Sequence, residues 1–387
     1  MINFYHVLLI SQLLIPGFFS FFLTKQITKI AIKYRLYDLP KTDRFHTEPT
    51  PLLGGVAIFF SSVLFLIIYN KIYYLTGFFI LVSSIISFYF IIKKERKLFI
   101  IFSILSILTC FIVLSFIETN NNIMMSKLSW IMLGGQLLFL VGIYDDILSP
   151  VKPFFKLFIQ IMAALIIIFK VDMITFLGIP LNFIVTLLWI IGIINSFNLI
   201  DNMNGLSSGV AAISLLFLGF ISLYSGNFLY LGPFGFIIFS VLIGFLPNNF
   251  PRAKIFMGDG GSLFLGYILG AFGIIGSWKT SNFSISIIIP VLVLSYPIFD
   301  VILVVINRIK AGKPIYLGGK DHSSHRLVKL GLKPADAVFF IYFFVFYTGF
   351  SAYFLTMIEF RQAIKMLIFI VAILIIFGIR LSRIETD

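Results

Sequence analysis

The chain has 387 residues, 60% of them hydrophobic and 12% charged, with a mean hydropathy of +1.07. Soluble domains carry about 25% charged residues, so this composition excludes a soluble globule and predicts an all-α polytopic integral membrane protein. The net charge of +13 is what basic loops beside anionic lipid produce, and it is read as that rather than as a nucleic-acid surface. The single cysteine, Cys110, lies inside an apolar run, which leaves no disulfide and no cysteine-ligated metal.

Apolar runs of about 20 residues, enough to cross about 30 Å of hydrocarbon, recur from end to end. The first is expected at about 4–24. No basic region precedes it, and Lys25, Lys29, Lys33 and Arg35 follow it, which predicts an uncleaved span whose amino end faces out. The loop at about 25–52 ends in DLPKTDRFHTEPTPLLGG, from Asp38 to Gly55. Its prolines and glycines predict fixed turns, and Lys41, Arg44 and His46 are its cations.

Spans at about 53–69, 72–92, 98–117 and 128–143 lead to the first polar island, YDDILSPVKPFFK from Tyr144 to Lys156. The adjacent carboxylates of Asp145 and Asp146 raise each other's pKa unless a cation or metal offsets the repulsion. About 100° apart on a helix end, one of them faces a site while the other supports it. Lys152 and Lys156 supply nearby cations, with Lys156 and Gln160 one helical turn apart.

Spans at about 155–170 and 181–196 end in the second island, NSFNLIDNMNGLSSG from Asn195 to Gly209. Asn195, Asn198 and Asp201 recur at intervals of three on one helix face, offering hard oxygen ligands for Mg²⁺ or acceptors for a base. Spans at about 207–225 and 229–247 lead to FMGDGGS, Phe256 to Ser262. An Asp and a Ser at a helix start read as a cap, but a cap does not need the three surrounding glycines. Bare backbone N–H groups there would cradle a phosphate while Asp259 holds a bridging metal.

After spans at about 260–276 and 283–304 comes RIKAGKPIYLGGKDHSSHR, Arg308 to Arg326. His322 and His325 stand among Asp321, Arg326, Lys313 and Lys320. Without a cysteine or third histidine nearby this is a poor zinc site, and the cations suit a phosphate or nucleotide. Spans at about 336–357 and 363–380 complete thirteen passages, of which eleven to thirteen are true crossings.

Alternation from an outside amino terminus puts 25–52, 93–97, 144–154, 197–206, 248–259, 305–335 and the tail in the cytoplasm. With helix-end Lys156 and Arg380 counted as inside, only Lys71, Lys127, Lys170, Lys279, Arg361 and Lys365 fall elsewhere, so 23 of the 29 Lys and Arg residues follow the positive-inside rule. All the islands then share the cytoplasmic face, as loops at about 25–52, 144–156, 195–209, 248–262 and 305–335 of one transmembrane domain spanning 1–387.

In this order the motifs resemble the polyprenyl-phosphate N-acetylhexosamine-1-phosphate transferase superfamily, glycosyltransferase family 4, over roughly residues 35–330. They are the Pro-rich loop ending in Gly54–Gly55, the Asp145–Asp146 pair with Lys156, the Asn195/Asn198/Asp201 string, FMGD at 256–259 and the His-Arg loop. The resemblance implies a bacterial plasma-membrane enzyme that moves a sugar 1-phosphate from a UDP-sugar to a polyprenyl phosphate and releases UMP. It implies Mg²⁺, with Mn²⁺ as a substitute, at Asp259 and Asn198, and catalytic duty for Asp145 and Asp146. Lys156, Asp201, Asn204, His322, His325, Arg326, Lys41 and His46 fall to the substrates.

DHSSHR at 321–326 stands where the muramoyl-pentapeptide transferases have a triple-histidine run. The chain is therefore similar to the WecA/TagO-type branch, which uses UDP-N-acetylglucosamine and starts a surface glycan such as O-antigen or teichoic acid. Asn202 and Asn204 depart from the Gly and Asp of many bacterial members. Compared with the ten-span muramoyl type, the chain also has an additional hairpin before Asp145 and an additional last span. The competing expectations are the muramoyl-pentapeptide donor and, outside the family, a transporter. A transporter would carry ionisable groups near the bilayer midplane and internal repeats. A homodimer is compatible with the sequence.

Overall fold

Inside a bilayer a backbone N–H or C=O finds no water, so each spanning segment must satisfy its own hydrogen bonds and folds as a helix. The computed structural model describes residues 2–39, 48–69, 74–117, 123–175, 177–226, 230–276, 283–314 and 319–384. Its spans are α1 Ile2–Lys33, α2 Gly54–Tyr69, α3 Tyr74–Ile92, α4 Arg96–Ile117, α5 Ile123–Ile147, α6 Pro153–Lys170, α7 Ile179–Leu199, α8 Leu206–Tyr224, α9 Leu231–Asn249 and α10 Gly258–Ile275. After them come α11 Phe283–Val293, α12 Ser295–Lys310, the short α13 Ser323–Lys329, α14 Pro334–Leu355 and α15 Phe360–Ser382.

Among the described residues, eleven helices are long and apolar enough to cross a membrane, and α2 is a shorter apolar helix. The protein is a multi-pass membrane protein, and each expected passage has its helix or, in one case, a helix pair.

Four boundaries differ from the sequence reading. α1 continues through Lys25, Lys29 and Lys33, where a loop is expected, because Ile27 and Ala31 are buried against the bundle. It stops at Arg35, whose φ is 55°. α5 and α10 extend past the expected span ends, so Asp145, Asp146 and Asp259 lie within terminal helical turns rather than in loops. The expected span at 283–304 is broken into α11 and α12. Pro297 has no N–H for the carbonyl of Val293, and Ser214 Oγ donates to that carbonyl at 3.2 Å instead. A two-residue ladder, β1 Tyr37–Asp38 against β2 Thr50–Pro51, closes the Pro-rich loop at its base.

α10 is the most enclosed spanning helix and α15 the least. α5, α7 and α2 pack around α10, α8 pairs with α9, α1 lies along α9, and α14 lies along α8. The α3–α4 hairpin attaches through α5, where fully buried Gln136 donates from Nε2 to Ser83 Oγ (3.1 Å), Ser84 Oγ (3.0 Å) and Ser106 Oγ (2.7 Å). Such amide and hydroxyl contacts hold helices together where lipid supplies no hydrophobic drive.

Candidate active site

The islands meet at one end of the bundle because small residues let α5 and α10 approach there. A methyl group on Gly142 would lie 2.5 Å from the carbonyl carbon of Asp259 and from Cα of Gly260. Gly258 has φ +74°, and a side chain on it would strike Asp146 Oδ2 at 2.5 Å. With those positions bare, Asp146 reaches the start of α10, where Oδ1 accepts Asp259 N–H at 3.0 Å and Oδ2 accepts Gly260 N–H at 3.1 Å. A carboxylate on the free N–H groups of a helix start also meets the positive end of its dipole.

Asp145 turns the other way. Its Oδ1 accepts Val151 N–H, and its Oδ2 lies 3.0 Å from Lys156 Nζ. The same ammonium pairs with Asp259 Oδ2. Asn198 Nδ2 donates to the other oxygen of Asp259 at 2.9 Å and to Ser262 Oγ at 3.0 Å. Residues from α5, α6, α7 and α10 thus close on one half-buried point.

The Pro-rich loop joins this point through its backbone. Phe256 N–H donates to Pro51 O, while Gly54 and Gly55 N–H donate to Phe256 O and Met257 O, all at 2.8 Å. Lys41 and His46, the cations expected to act from this loop, lie outside the described residues.

Asp201 and Asn204 sit in the turn between α7 and α8, and Asn204 Nδ2 donates to Pro251 O at 3.1 Å. The histidine segment reaches this turn through Ser324 Oγ, which donates to Asn202 Oδ1 at 3.0 Å. All five motifs are therefore joined, directly or through one neighbour, on one face of the bundle.

Within the histidine segment the three named residues differ. His322 Nδ1 lies 2.7 Å from Asp300 Oδ2. Burial opposes its charged form, but the hydrogen bond and charge of Asp300 outweigh that, and its pKa is raised. His325 is pushed down to about 4 by burial and by the neighbouring His322, so its ring is neutral at neutral pH.

Arg326 does not point its bonded nitrogens at a substrate. Nε donates to Asp321 O at 2.9 Å, and Nη1 donates to Leu381 O (3.0 Å) and Ile384 O (2.6 Å) at the end of α15. These bonds tie the expected phosphate ligand to the end of the carboxy-terminal helix, where a cation complements the carbonyl end. The paired cation–anion contact here is Arg308 with Asp321, at 2.6 and 2.7 Å. Burial alone would raise the pKa of Asp321, but the Arg308 hydrogen bond and charge hold it below the usual carboxylate range.

Asp300 was not among the residues singled out from sequence. It is fully buried in α12, and an isolated acid in an apolar run is the signal that marks it.

Among the described residues, no group of three or more His, Cys, Asp or Glu is arranged to hold a metal by itself. The donor chemistry nevertheless suits a hard divalent cation. Mg²⁺ takes one or two carboxylates and completes its shell with water and substrate phosphates. Asp145 and Asp259 converge on a point where a cation, the Lys156 ammonium, already stands.

Comparison with known proteins places the sequence in a family. The sequence model described as glycosyl transferase family 4 matches residues 128–277, the stretch from α5 to just past α10. The Bacillus subtilis (strain 168) protein named "probable undecaprenyl-phosphate N-acetylglucosaminyl 1-phosphate transferase" is 30% identical over 365 residues, covering 92% of this chain and 86% of that protein. The decaprenyl-phosphate N-acetylglucosaminephosphotransferase of Mycolicibacterium smegmatis is 24% identical, over 86% of this chain and 78% of its own. A phospho-N-acetylmuramoyl-pentapeptide-transferase of Streptococcus uberis is 27% identical over 69% and 70%.

Proposed function

Because the chain belongs to glycosyl transferase family 4 and is a membrane glycosylphosphotransferase, we propose that it transfers N-acetylglucosamine 1-phosphate from UDP-N-acetylglucosamine to undecaprenyl phosphate at the cytoplasmic face. An oxygen of the lipid phosphate bonds to the sugar-bearing phosphorus. The bond from that phosphorus to the bridging oxygen breaks, and UMP leaves with that oxygen. The carrying observation is the Lys156 ammonium held between Asp145 and Asp259, with Asn198 on the far oxygen of Asp259.

That arrangement suits the chemistry, because two anionic substrates must approach each other and the transferred phosphoryl group gathers charge that cations stabilise. Asp259 and Asp145, with the amide oxygen of Asn198, would hold Mg²⁺. Bound there, the ion screens the phosphates and polarises the phosphorus–oxygen bonds. Lys156, which pairs with both carboxylates, would contact the diphosphate. Asp145, facing Lys156, is the acid that meets the lipid phosphate, and Asp146 keeps Asp259 in place. The turn holding Asp201 and Asn204 takes the nucleotide, and His322 and His325 take the sugar-phosphate side. The relative named for N-acetylglucosaminyl 1-phosphate transfer and the DHSSHR segment favour this donor.

The test is UMP release by the purified protein with Mg²⁺ and undecaprenyl phosphate, offered UDP-N-acetylglucosamine, UDP-N-acetylgalactosamine or UDP-N-acetylmuramoyl-pentapeptide in turn. Release with the first donor is expected. Release with the pentapeptide donor alone would move the enzyme to the muramoyl branch, and no release with any donor would overturn the transfer reading.

A further inference from the structure

A carboxylate with no exposed surface inside an apolar helix is costly unless hydrogen bonds and an opposite charge repay its desolvation. Asp300 meets that condition in full. Its Oδ1 accepts both the backbone N–H (2.7 Å) and the hydroxyl (2.6 Å) of Ser323, and its Oδ2 lies 2.7 Å from His322 Nδ1. Tyr296, one turn earlier on α12, lies 3.1 Å from the same Ser323 hydroxyl. Every contact goes to the first residues of α13, the segment that also reaches the α7–α8 turn through Ser324. A purely structural anchor could have used apolar packing, whereas this one spends a buried charge on a particular histidine nitrogen.

We infer that Asp300 is a positioning residue: it holds His322 through Nδ1 and thereby presents the Nε2–H of a cationic ring to the phosphate groups of the nucleotide-sugar. The inference rests on the transfer reading for the identity of that anion, and on the Asp300–His322 geometry alone for the pairing. With Nδ1 engaged, Nε2 is the nitrogen left for a ligand. A histidine's two nitrogens divide in this way wherever a carboxylate fixes one of them. The neighbouring His325 is kept neutral mainly by burial, and the charge of His322, whose ring centroid lies 5.8 Å away, adds to this.

The charged and titratable groups around His322 are Asp300, Arg308 and Tyr296 on α12, Asp321 and Lys320 before α13, and His325 on α13 itself. α14 also packs on α13 and begins beside Lys333 and Asp336, while toward α15 the segment turns Arg326 onto backbone carbonyls. Asp300 and Asp321 favour the cation, and Arg308 opposes it. A raised pKa means the ring keeps its charge to higher pH than an ordinary histidine and loses it as pH rises further, so donor binding should weaken on the alkaline side.

The experiment uses the full chain in detergent with isotope-labelled histidine rings, four in all. Wild-type His322 should titrate above 6.5, the ordinary value, and added UDP should shift its Nε2 resonance. In Asp300→Asn the titration should fall to 6.5 or below, and the UDP shift should be lost. Turnover should show the alkaline limb of kcat/KM moving to lower pH, with a loss of about tenfold or more on that side and little change on the acidic side. Asp300→Glu should restore part of the limb.

The inference fails if wild-type His322 titrates at or below its ordinary value, a result that needs no variant to fold. It also fails if UDP leaves wild-type Nε2 unmoved, or if Asp300→Asn loses activity equally at every pH. Absence of UMP release by the wild type would instead sink the transfer reading, and the ring titration and UDP shift would still decide the role of Asp300.

Discussion

At the start of α10, Asp146 accepts the N–H groups of Asp259 and Gly260, whereas Asp145, one residue earlier, reaches Val151 and Lys156. Both oxygens of Asp146 face backbone donors, so an amide in its place turns an NH₂ toward an N–H. Asp146→Asn should lower the melting temperature, in line with a lost helix cap of about 1 kcal/mol, and reduce turnover because Asp259 moves. In Asp145→Asn the amide oxygen can still accept Val151 N–H. That variant should melt close to wild type while losing about 10²-fold or more in kcat. Equal melting losses in the two variants would contradict the division of duties. The pair itself was legible in sequence, as were Asp259, Asn198 and Lys156. Which acid faces which way was not, because it depends on the meeting of α5 with α10. Arg326 shows the limit from the other side: its surroundings in sequence are those of a phosphate loop, but its Nη1 ends on carbonyls more than 50 residues further on.

Two helix contacts decide where those residues stand. The first is the approach of α5 to α10 over Gly142, one turn before Asp145. Gly142→Ala must push the helices apart by a few tenths of an ångström or more, against a packed interior that resists it. A displacement near 1 Å at reacting groups costs about 10²-fold in rate, and a kcat loss approaching that size is expected. Gly192→Ala on α7 is the control, because an added methyl there meets nothing within 4 Å and activity should be retained. Comparable losses in both variants would refute the close-approach argument. The second is the break between α11 and α12, where Ser214 bonds the carbonyl that Pro297 leaves unpaired. Pro290 and Pro297 were visible in the sequence, and the run was still read as one span. Hydropathy is continuous through the break, and only the partner on α8 makes it stable.

For the whole molecule, the hydrogen bonds put the motif ends of α5, α6, α7 and α10 together, while the Lys127–Asp172 pair (2.8 Å) joins the first turns of α5 to the residues just after α6, at the opposite ends of those two helices. The proposed orientation makes the first end cytoplasmic, as the distribution of Lys and Arg implies. Cysteines introduced singly at Lys152, Lys333 or Asp172 test this with a membrane-impermeant thiol reagent. The native Cys110 is buried and is replaced by serine for the assay. Lys152→Cys and Lys333→Cys should react only from the cytoplasmic side and Asp172→Cys only from outside. The reverse pattern would invert the protein and exclude a cytosolic nucleotide-sugar as its substrate.

Composition and the lengths of the apolar runs were enough, without coordinates, to define a polytopic helical membrane protein, its passages and the motifs that carry chemistry. Those properties are local: a run of about 20 apolar residues has no alternative to a helix in lipid, and an acid or glycine at its end stands out against it. Tertiary structure decided what each acid and cation touches. It turned Asp146 onto a helix start, placed Lys156 between two carboxylates from different helices, tied Arg326 to the end of α15 and joined Asp300 to His322. Each depends on segments distant in sequence meeting at close range, and hydrogen bonds and ion pairs are set by that distance and direction, which periodicity along one chain does not encode.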